Sequence, residues 1–257
     1  GNFQIYRMKI DGTSQTRLSN NTCDENEPSW SPDSSMIAFV SNCAGYSQIL
    51  TMHADGSNRT VLSNTAHVDD TQPAWSPDGS KIAFTSDRTG KSQVFEMNSD
   101  GSNVNDLSGN NGFDDSKPNW KPDGSELAFQ TDRLGNSQIW QMNASTGTGQ
   151  AALVTPTPSG KSDTNPAWSP DGTQVAFSRS APGNSLDIFA MVVNVSNGHM
   201  TDVTNNPAFD DEADWGPQGQ TGLVPEVPMA LALPLAGGGI FALGLTFQRR
   251  KRRLSPA

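Results

Sequence analysis

The ten residues WSPDGSKIAF, Trp75–Phe84, decide the fold because close variants of them recur along the chain. Five tryptophans mark the copies, at spacings of 45, 45, 48 and 47 residues, and a fixed period in the forties indicates a repeat architecture. The other copies are WSPDSSMIAF (Trp30–Phe39), WKPDGSELAF (Trp120–Phe129), WSPDGTQVAF (Trp168–Phe177) and the incomplete WGPQG (Trp215–Gly219).

Each unit has the sequence of four short strands joined by turns. Ser-Pro-Asp-Gly is typical of a β-turn, because Pro fixes φ, Asp bonds the local backbone and Gly accepts positive φ. The triplet Ile82-Ala83-Phe84 is apolar on both faces and predicts a strand covered on both sides, with the small Ala allowing a close neighbour. A β-rich run with Met at a fixed place, an Asp-Gly turn and a short fourth strand follow. Four antiparallel strands per unit predict an all-β propeller built of four-stranded blades.

The repeat divides residues 1–219 into four complete blades and two partial ones. The N-terminal stretch matches the second half of a unit, and Asp210–Gly219 matches a first strand, so a blade composed of both would lack its second strand. We expect complete blades at residues 21–63, 64–108, 109–154 and 155–204, and partial blades at 1–20 and 205–219.

These Trp-centred units resemble the propeller repeats of TolB, the periplasmic translocation protein, and of related surface propellers. The resemblance covers about residues 1–219 and implies a six-bladed fold, so the chain is expected to be a fragment that lacks blades upstream. It is specific for the fold and weak for function, because propellers carry many unrelated roles.

The charge of the chain argues against a nucleic-acid partner. The formal net charge is −10, and the basic residues are concentrated at the C-terminus, which leaves 26 acidic and 12 basic residues in positions 1–223. A surface this acidic repels phosphates and suits solubility, a cation or a basic partner.

Acidic residues recur in the linker before each first strand, which in a propeller lies beside the central channel. We expect a ring of carboxylates at one channel mouth, which would bind a cation, most naturally calcium, or receive a basic peptide. The alternative is that these acids bond the turn backbone and keep the rim soluble. Five of them stand five residues before a Trp and four stand beside those: Glu25, Asp70, Asp115, Asp163 and Asp210, with Asp24, Asp69, Asp114 and Asp211.

Cys23 and Cys43 are the only cysteines, and their spacing fits no zinc motif. Cys23 belongs to the first linker and Cys43 to the loop after the next strand pair, so both are expected on the same face of one blade. A disulfide is therefore geometrically reasonable and fits an oxidising compartment. Two free thiols are the alternative.

No catalytic motif is present: the chain has no Gly-x-Ser-x-Gly elbow, Walker loop or His-Glu-x-x-His. The aspartates of the Ser-Pro-Asp-Gly turns are a blade apart and are expected to serve the turns rather than a reaction. They are Asp33, Asp78, Asp123 and Asp171. The sequence therefore predicts a protein without enzymatic activity.

The C-terminal segment predicts a membrane anchor. Residues 227–247 carry no charge and are long enough to span a bilayer, and a basic cluster that would stay cytoplasmic follows them. Residues 220–226 form a linker ending in Val224-Pro225-Glu226, and this arrangement resembles the PEP-CTERM type of bacterial sorting signal, except that Val227 intervenes before Pro228. A plain single-pass anchor over 227–257 is the alternative. The basic cluster is Arg249, Arg250, Lys251, Arg252 and Arg253.

Together these features predict an exported, surface-anchored propeller that binds a protein, peptide or other ligand at the bacterial cell envelope. Two alternatives remain. The chain could be the propeller remnant of a propeller–peptidase that lacks its hydrolase domain, or a structural component of the cell surface.

Overall fold

The computed structural model describes most of the chain up to residue 215. The described residues are 2–9, 11–109, 112–154, 160–180, 186–193, 200–204, 210–211 and 215. Their strands are β1 (Tyr6–Arg7), β2 (Thr16–Arg17), β3 (Glu25–Trp30), β4 (Met36–Ser41), β5 (Gln48–His53), β6 (Thr60–Val61), β7 (Asp70–Trp75), β8 (Lys81–Ser86), β9 (Gln93–Asn98), β10 (Asn105–Asp106), β11 (Asp115–Trp120), β12 (Glu126–Thr131), β13 (Gln138–Asn143), β14 (Ala151–Ala152), β15 (Asp163–Trp168), β16 (Gln174–Ser180), β17 (Leu186–Val192) and β18 (Met200–Asp202).

Four antiparallel sheets of four strands form the body of the molecule, and a two-stranded hairpin, β1–β2, precedes them. We number the blades 1 to 4: β3–β6, β7–β10, β11–β14 and β15–β18. The first strands β3, β7, β11 and β15 contact one another in chain order, so they line the inside of the arc of blades. The four-stranded sheets confirm the predicted all-β fold. In a propeller the innermost strands border the central channel, and the first strands take that position here.

The apolar triplet of each second strand forms the core between blades. Ile82 and Phe84 of blade 2 are fully buried against Ala38 and Ile49 of blade 1, whereas Ala83 faces the next blade. The same alternation recurs in the other seams, where Ala83 packs with Phe129, and Ala128 packs with Phe177. The small side chain on one face allows the bulky ring of the next blade to approach, as the sequence predicts.

The Asp-Gly turns of blades 1 and 2 each pack against the leucine that follows the last strand of the preceding hairpin or blade. Gly101 has φ +87°, and a Cβ built on it would lie 2.9 Å from the backbone oxygen of Leu62. Gly56 makes the same approach to Leu18 of the N-terminal hairpin, at 2.8 Å. Only glycine combines this dihedral with so close a backbone contact, which explains the repeated Asp-Gly.

The predicted membrane segment lies outside the described residues, as do the sorting-like motif Val224-Pro225-Glu226 and the basic cluster 249–253. No helix in the part of the chain that the structure describes is long and apolar enough to cross a membrane.

Candidate functional site

The carboxylates five residues before each of the first four repeat tryptophans are buried in ion pairs with arginine. Asp70, Asp115 and Asp163 are at most 1% exposed, as is Glu25. The pairs are Arg88–Asp70 at 2.9 Å, Arg133–Asp115 at 2.6 Å, Arg179–Asp163 at 2.6 Å and Arg59–Glu25. These ion pairs hold the linkers inside the fold, and they involve four of the nine acids that the sequence predicts around the channel mouth.

Arginines from three different places in the blade reach this same acidic position. Arg88 and Arg133 come from the loop after the second strand, Arg179 from the second strand itself, and Arg59 from the residue before the fourth strand. Each guanidinium also lies over aromatic rings, such as Arg88 at 4.6 Å from the Phe95 centroid. The carboxylate and the ring together stabilise a partly buried cation.

The neighbouring acids connect consecutive blades. Asp69 Oδ1 accepts a hydrogen bond from the Ser47 N–H of blade 1 at 2.7 Å, and Asp114 Oδ1 accepts one from the Ser92 N–H of blade 2 at 3.0 Å. Asp24 accepts from the Phe3 N–H at 2.7 Å in the same way. These three carboxylates remain partly exposed on the linker face, which we define as the face carrying the linkers before the first strands. They are therefore the acids that a ligand at this face would meet first.

Asp210 and Asp211 occupy the position of a first strand beside blade 4. The Asp210 N–H donates to the Leu186 backbone oxygen at 2.9 Å, as the Asp70 N–H does to Ser47. Asp211 Oδ1 accepts from Ser178 Oγ at 2.7 Å and also from the side chain of Asn165. Trp215 Nε1 donates to the Ala167 oxygen at 2.9 Å, which matches the bond of Trp120 to Ala74.

The predicted acids are not gathered into a metal centre. Among the described residues, no three His, Cys, Asp or Glu side chains come together as metal ligands. The geometry of this face thus offers carboxylates one blade apart, each with its own protein partner, rather than the clustered oxygens that calcium prefers.

Cys23 and Cys43 are joined by a disulfide, with their Cα atoms 5.1 Å apart. In the repeat alignment Cys43 takes the position of Arg88 and Arg133. The disulfide therefore ties the loop after the second strand to the linker in blade 1, as the ion pair Arg88–Asp70 does in blade 2. Because Cys43 replaces the arginine of this loop, the cation that pairs with Glu25 comes from Arg59 instead.

The first strand of each blade contains a β-bulge, and one polar residue in the bulge has the left-handed backbone conformation. The register shifts after the second residue of each strand, where the third residue has φ between +50° and +56° and is followed by proline. A first strand is the edge of its sheet, where proline and bulges are tolerated. We call these four positions the channel residues: Glu27, Gln72, Lys117 and Asn165.

The channel residues are connected from blade to blade by hydrogen bonds. The Gln72 N–H donates to Glu27 Oε2 at 2.8 Å, and the Lys117 N–H donates to Gln72 Oε1 at 3.1 Å. The series stops at Lys117, because an ammonium cannot accept a hydrogen bond from the Asn165 N–H. No carboxylate in the described part of the chain forms an ion pair with Lys117.

The aspartates of the Ser-Pro-Asp-Gly turns lie on the opposite face, which we call the turn face. Asp78 accepts hydrogen bonds from Ser76 Oγ at 2.6 Å and from the Ser80 N–H at 3.0 Å. The bond from Ser76 contributes most to lowering the pKa of Asp78 to about 2, and the bonds from Ser80 add to it. The pKa of Asp33 and Asp171 is lowered by the equivalent serines. Their role in the turn is the one that the sequence predicts.

Sequence reasoning missed the channel residues and the arginine partners. A signal for the bulges was present, because a proline stands two residues before each of the first four repeat tryptophans. The arginines gave a weaker signal, since only Asp87-Arg88 and Asp132-Arg133 repeat at equivalent positions.

Comparison with known proteins identifies the fold. No family model matches the chain. TolB from Acinetobacter baumannii is similar in structure, with a TM-score of 0.70 and 22% identity over 84% of this chain and 55% of that chain. A putative TolB from Agrobacterium tumefaciens gives a TM-score of 0.60 at 17% identity, over 79% of this chain and 91% of that one.

A puromycin-hydrolyzing peptidase from Mycobacterium tuberculosis is also similar, with a TM-score of 0.59 and 15% identity over 82% of this chain and 36% of that chain. The chain spans about half the length of the Acinetobacter TolB and about a third of the peptidase. The neighbours thus confirm a TolB-like β-propeller fold.

Proposed function

We propose that this chain is a non-catalytic propeller of the bacterial envelope that binds a protein or peptide at the linker face and the adjoining channel. The observation that carries the proposal is the repeated bulge, which places a polar residue in a strained conformation on four consecutive first strands. A non-glycine residue in the left-handed region costs about 1 kcal/mol or more, and such strain clusters at binding sites.

The charges of this surface suit a polypeptide ligand. Lys117 offers an ammonium without a carboxylate partner among the described residues, two blades from the carboxylate of Glu27. The partly exposed carboxylates of Asp24, Asp69 and Asp114 surround the same face. Donors and acceptors on the channel wall and acids at its rim favour a chain that carries both polar backbone and basic side chains.

Site-specific crosslinking tests this assignment. A photoreactive amino acid placed at Lys117 is expected to crosslink biotinylated random peptides. The matched control is the same photoreactive residue at the exposed Val104, which directly precedes the outermost strand of blade 2. Crosslinking that is equal at both positions would contradict a channel site.

The principal alternative is a propeller that serves a peptidase. The structural similarity to part of a puromycin-hydrolyzing peptidase supports this alternative. The coding sequence on either side of this chain separates the two functions, because a hydrolase domain with a Gly-x-Ser-x-Gly elbow encoded there would indicate a propeller–peptidase.

Export and anchoring belong to the same proposal. The disulfide fits an oxidising compartment, and the uncharged residues 227–247 followed by five basic residues fit a C-terminal anchor. The full chain is expected to remain in the membrane fraction after alkaline carbonate extraction, and a chain ending at residue 219 is expected to be released. Intact mass measurement of the mature protein shows whether Arg249–Arg253 are retained, which distinguishes a plain anchor from a cleaved sorting signal.

A further inference from the structure

The turns of the turn face pack against one another in two of the three seams between blades. A Cβ built on Gly79 would lie 3.7 Å from Pro32 Cδ in the seam of blades 1 and 2, and one on Gly172 would lie 3.7 Å from Pro122 Cδ in the seam of blades 3 and 4. Gly124, the equivalent residue in the seam of blades 2 and 3, has open space within 4 Å. A cavity of about 440 Å³ occupies that seam.

One wall of this cavity is aromatic and held in a fixed orientation. Trp120 lines it, and its Nε1 donates to the Ala74 oxygen at 3.0 Å, which fixes the plane of the indole. Pro77, Pro122 and Ala144 add further apolar surface. The cavity therefore offers an indole ring and two proline rings to a ligand.

In the seam of blades 3 and 4, a side chain of the protein itself occupies the position that is empty in the seam of blades 2 and 3. Lys121 Nζ lies 5.4 Å from the ring centroid of Trp168 and 2.7 Å from Glu126 Oε2, with Asp123 at 3.8 Å. The hydrogen bond to Glu126 raises the pKa of Lys121, so this side chain stays charged. An ammonium between a tryptophan and carboxylates is a favourable arrangement.

The residue equivalent to Lys121 in the cavity is Ser76, which is too short to cover Trp120. The position next to Trp120 that Ser76 leaves open has a net negative surrounding. Asp78 lies on the wall and has no basic partner among the described side chains. Lys81 also lines the cavity, but Glu96 binds its ammonium at 2.6 Å and is itself buried, so the pair is close to neutral.

We propose that this cavity binds an alkylammonium group, supplied by a lysine side chain of a partner protein or by a free amine. The group stacks on the indole of Trp120 and pairs with Asp78, as Lys121 stacks on Trp168 one seam further. The site lies on the turn face and does not depend on the function proposed for the linker face.

Nuclear magnetic resonance of the indole N–H groups provides the test. The probe is Nα-acetyl-lysine-N-methylamide, and its Nε-acetylated form is the uncharged control. We expect the charged probe to shift the Trp120 resonance, assigned with Trp120→Phe, and the neutral probe to leave it unchanged. Equal shifts with both probes, or no shift with the charged one, would overturn the proposal.

Two lysine substitutions sharpen the experiment. Ser76→Lys is expected to place the chain's own ammonium on Trp120 and to abolish the shift, because blade 3 already accommodates Lys-Pro-Asp-Gly at this position. Ser31→Lys makes the same change in the closed seam of blades 1 and 2 and is expected to leave binding intact. Undiminished binding to a folded Ser76→Lys protein would also refute the site.

Further arms identify the contacts and the source of the amine. Trp120→Leu is expected to weaken binding about fivefold through the loss of the cation–π contact. n-Butylammonium that binds as tightly as the lysine probe assigns the site to free amines, whereas tighter binding of the lysine probe assigns it to a polypeptide.

Discussion

Arg88 Nη2 lies 2.9 Å from Asp70 Oδ1 and so connects the loop after the second strand of blade 2 to the linker before its first strand. Asp70 is 1% exposed, and the guanidinium is also stacked on Phe95. This ion pair shows how a blade holds its acid-rich linker inside the fold. The buried carboxylate of the linker pairs with an arginine, and the guanidinium is stabilised by a cation–π contact with an aromatic ring.

Removal of Arg88 should therefore destabilise the protein strongly. Arg88→Gln leaves the carboxylate of Asp70 buried without its cation, which costs about 3 kcal/mol of unfolding free energy. Urea denaturation at neutral pH measures the loss. The double variant Asp70→Asn with Arg88→Gln is expected to recover part of it, and a single variant that costs less than ~1 kcal/mol would argue against a buried pair.

Reduction of the disulfide should loosen blade 1. Cys23 and Cys43 are 20 residues apart, and closing a loop of this length stabilises the folded state by about 3 kcal/mol in the chain-entropy description. Denaturation with and without reductant measures the difference. The matched control is Cys23→Ser with Cys43→Ser, which should unfold identically under both conditions.

Because Cys43 and Arg88 occupy equivalent positions, the disulfide of blade 1 can be replaced by the ion pair that blade 2 uses. Cys23→Val with Cys43→Arg copies the residues that blade 2 carries at these positions, Val68 and Arg88. This variant is expected to be more stable than the double serine variant, because its arginine can pair with Glu25 as Arg88 pairs with Asp70. Equal unfolding midpoints for the two variants would show that the loop position does not substitute for the disulfide.

The turn aspartates should make stability depend on pH in the acid range. The pKa of Asp78 is about 2 in the folded protein against 3.8 for an ordinary Asp, so folding favours the ionised form. Its contribution is complete above the unfolded pKa and is lost as the pH falls from about 4 to about 2. The difference in unfolding free energy between the wild type and Asp78→Asn should therefore narrow over this range.

Carboxyl resonances provide a direct check of that value. The titration of Asp78 is expected to have its midpoint at about 2, and Ser76→Ala should move the midpoint upward, because the Ser76 hydroxyl contributes most to the shift. A midpoint near 4 in the wild-type protein would contradict the turn hydrogen bonds described here.

Two glycines with the same dihedral separate backbone strain from contact between blades. Gly101 and Gly45 both have φ +87°, but only Gly101 approaches a neighbour, Leu62. Gly101→Ala is expected to cost roughly 1–2 kcal/mol more than Gly45→Ala, because its Cβ would force the two blades apart. Thermal unfolding of the two variants measures the difference, and equal losses would exclude the contact as the cause.

Much of the blade architecture follows from local sequence. The Ser-Pro-Asp-Gly turn and the triplet Ile82-Ala83-Phe84 determine a reversal and a strand buried on both faces, since turn chemistry and side-chain alternation are short-range effects. The structure reproduces both, with Asp78 bonded within its turn and Ala83 facing the next blade.

The candidate site was less accessible to such reasoning. The acids at Asp70 and its equivalents were found from their spacing, but their burial depends on arginines that reach them from three different places in the blade. The left-handed conformation of Lys117 is likewise set by the bulge that joins an edge strand to its neighbour, although the following proline marks its position.

The turns and the two-sided apolar strands follow from the sequence alone, because each depends on residues within a few positions of one another. The repeat period follows directly from the recurrence of the tryptophans along the chain. Only the tertiary structure decided which charges are buried and where the seams are open. Whether Asp70 meets Arg88, or Gly124 meets the preceding turn, depends on how neighbouring blades are placed, and that placement results from packing across the whole seam.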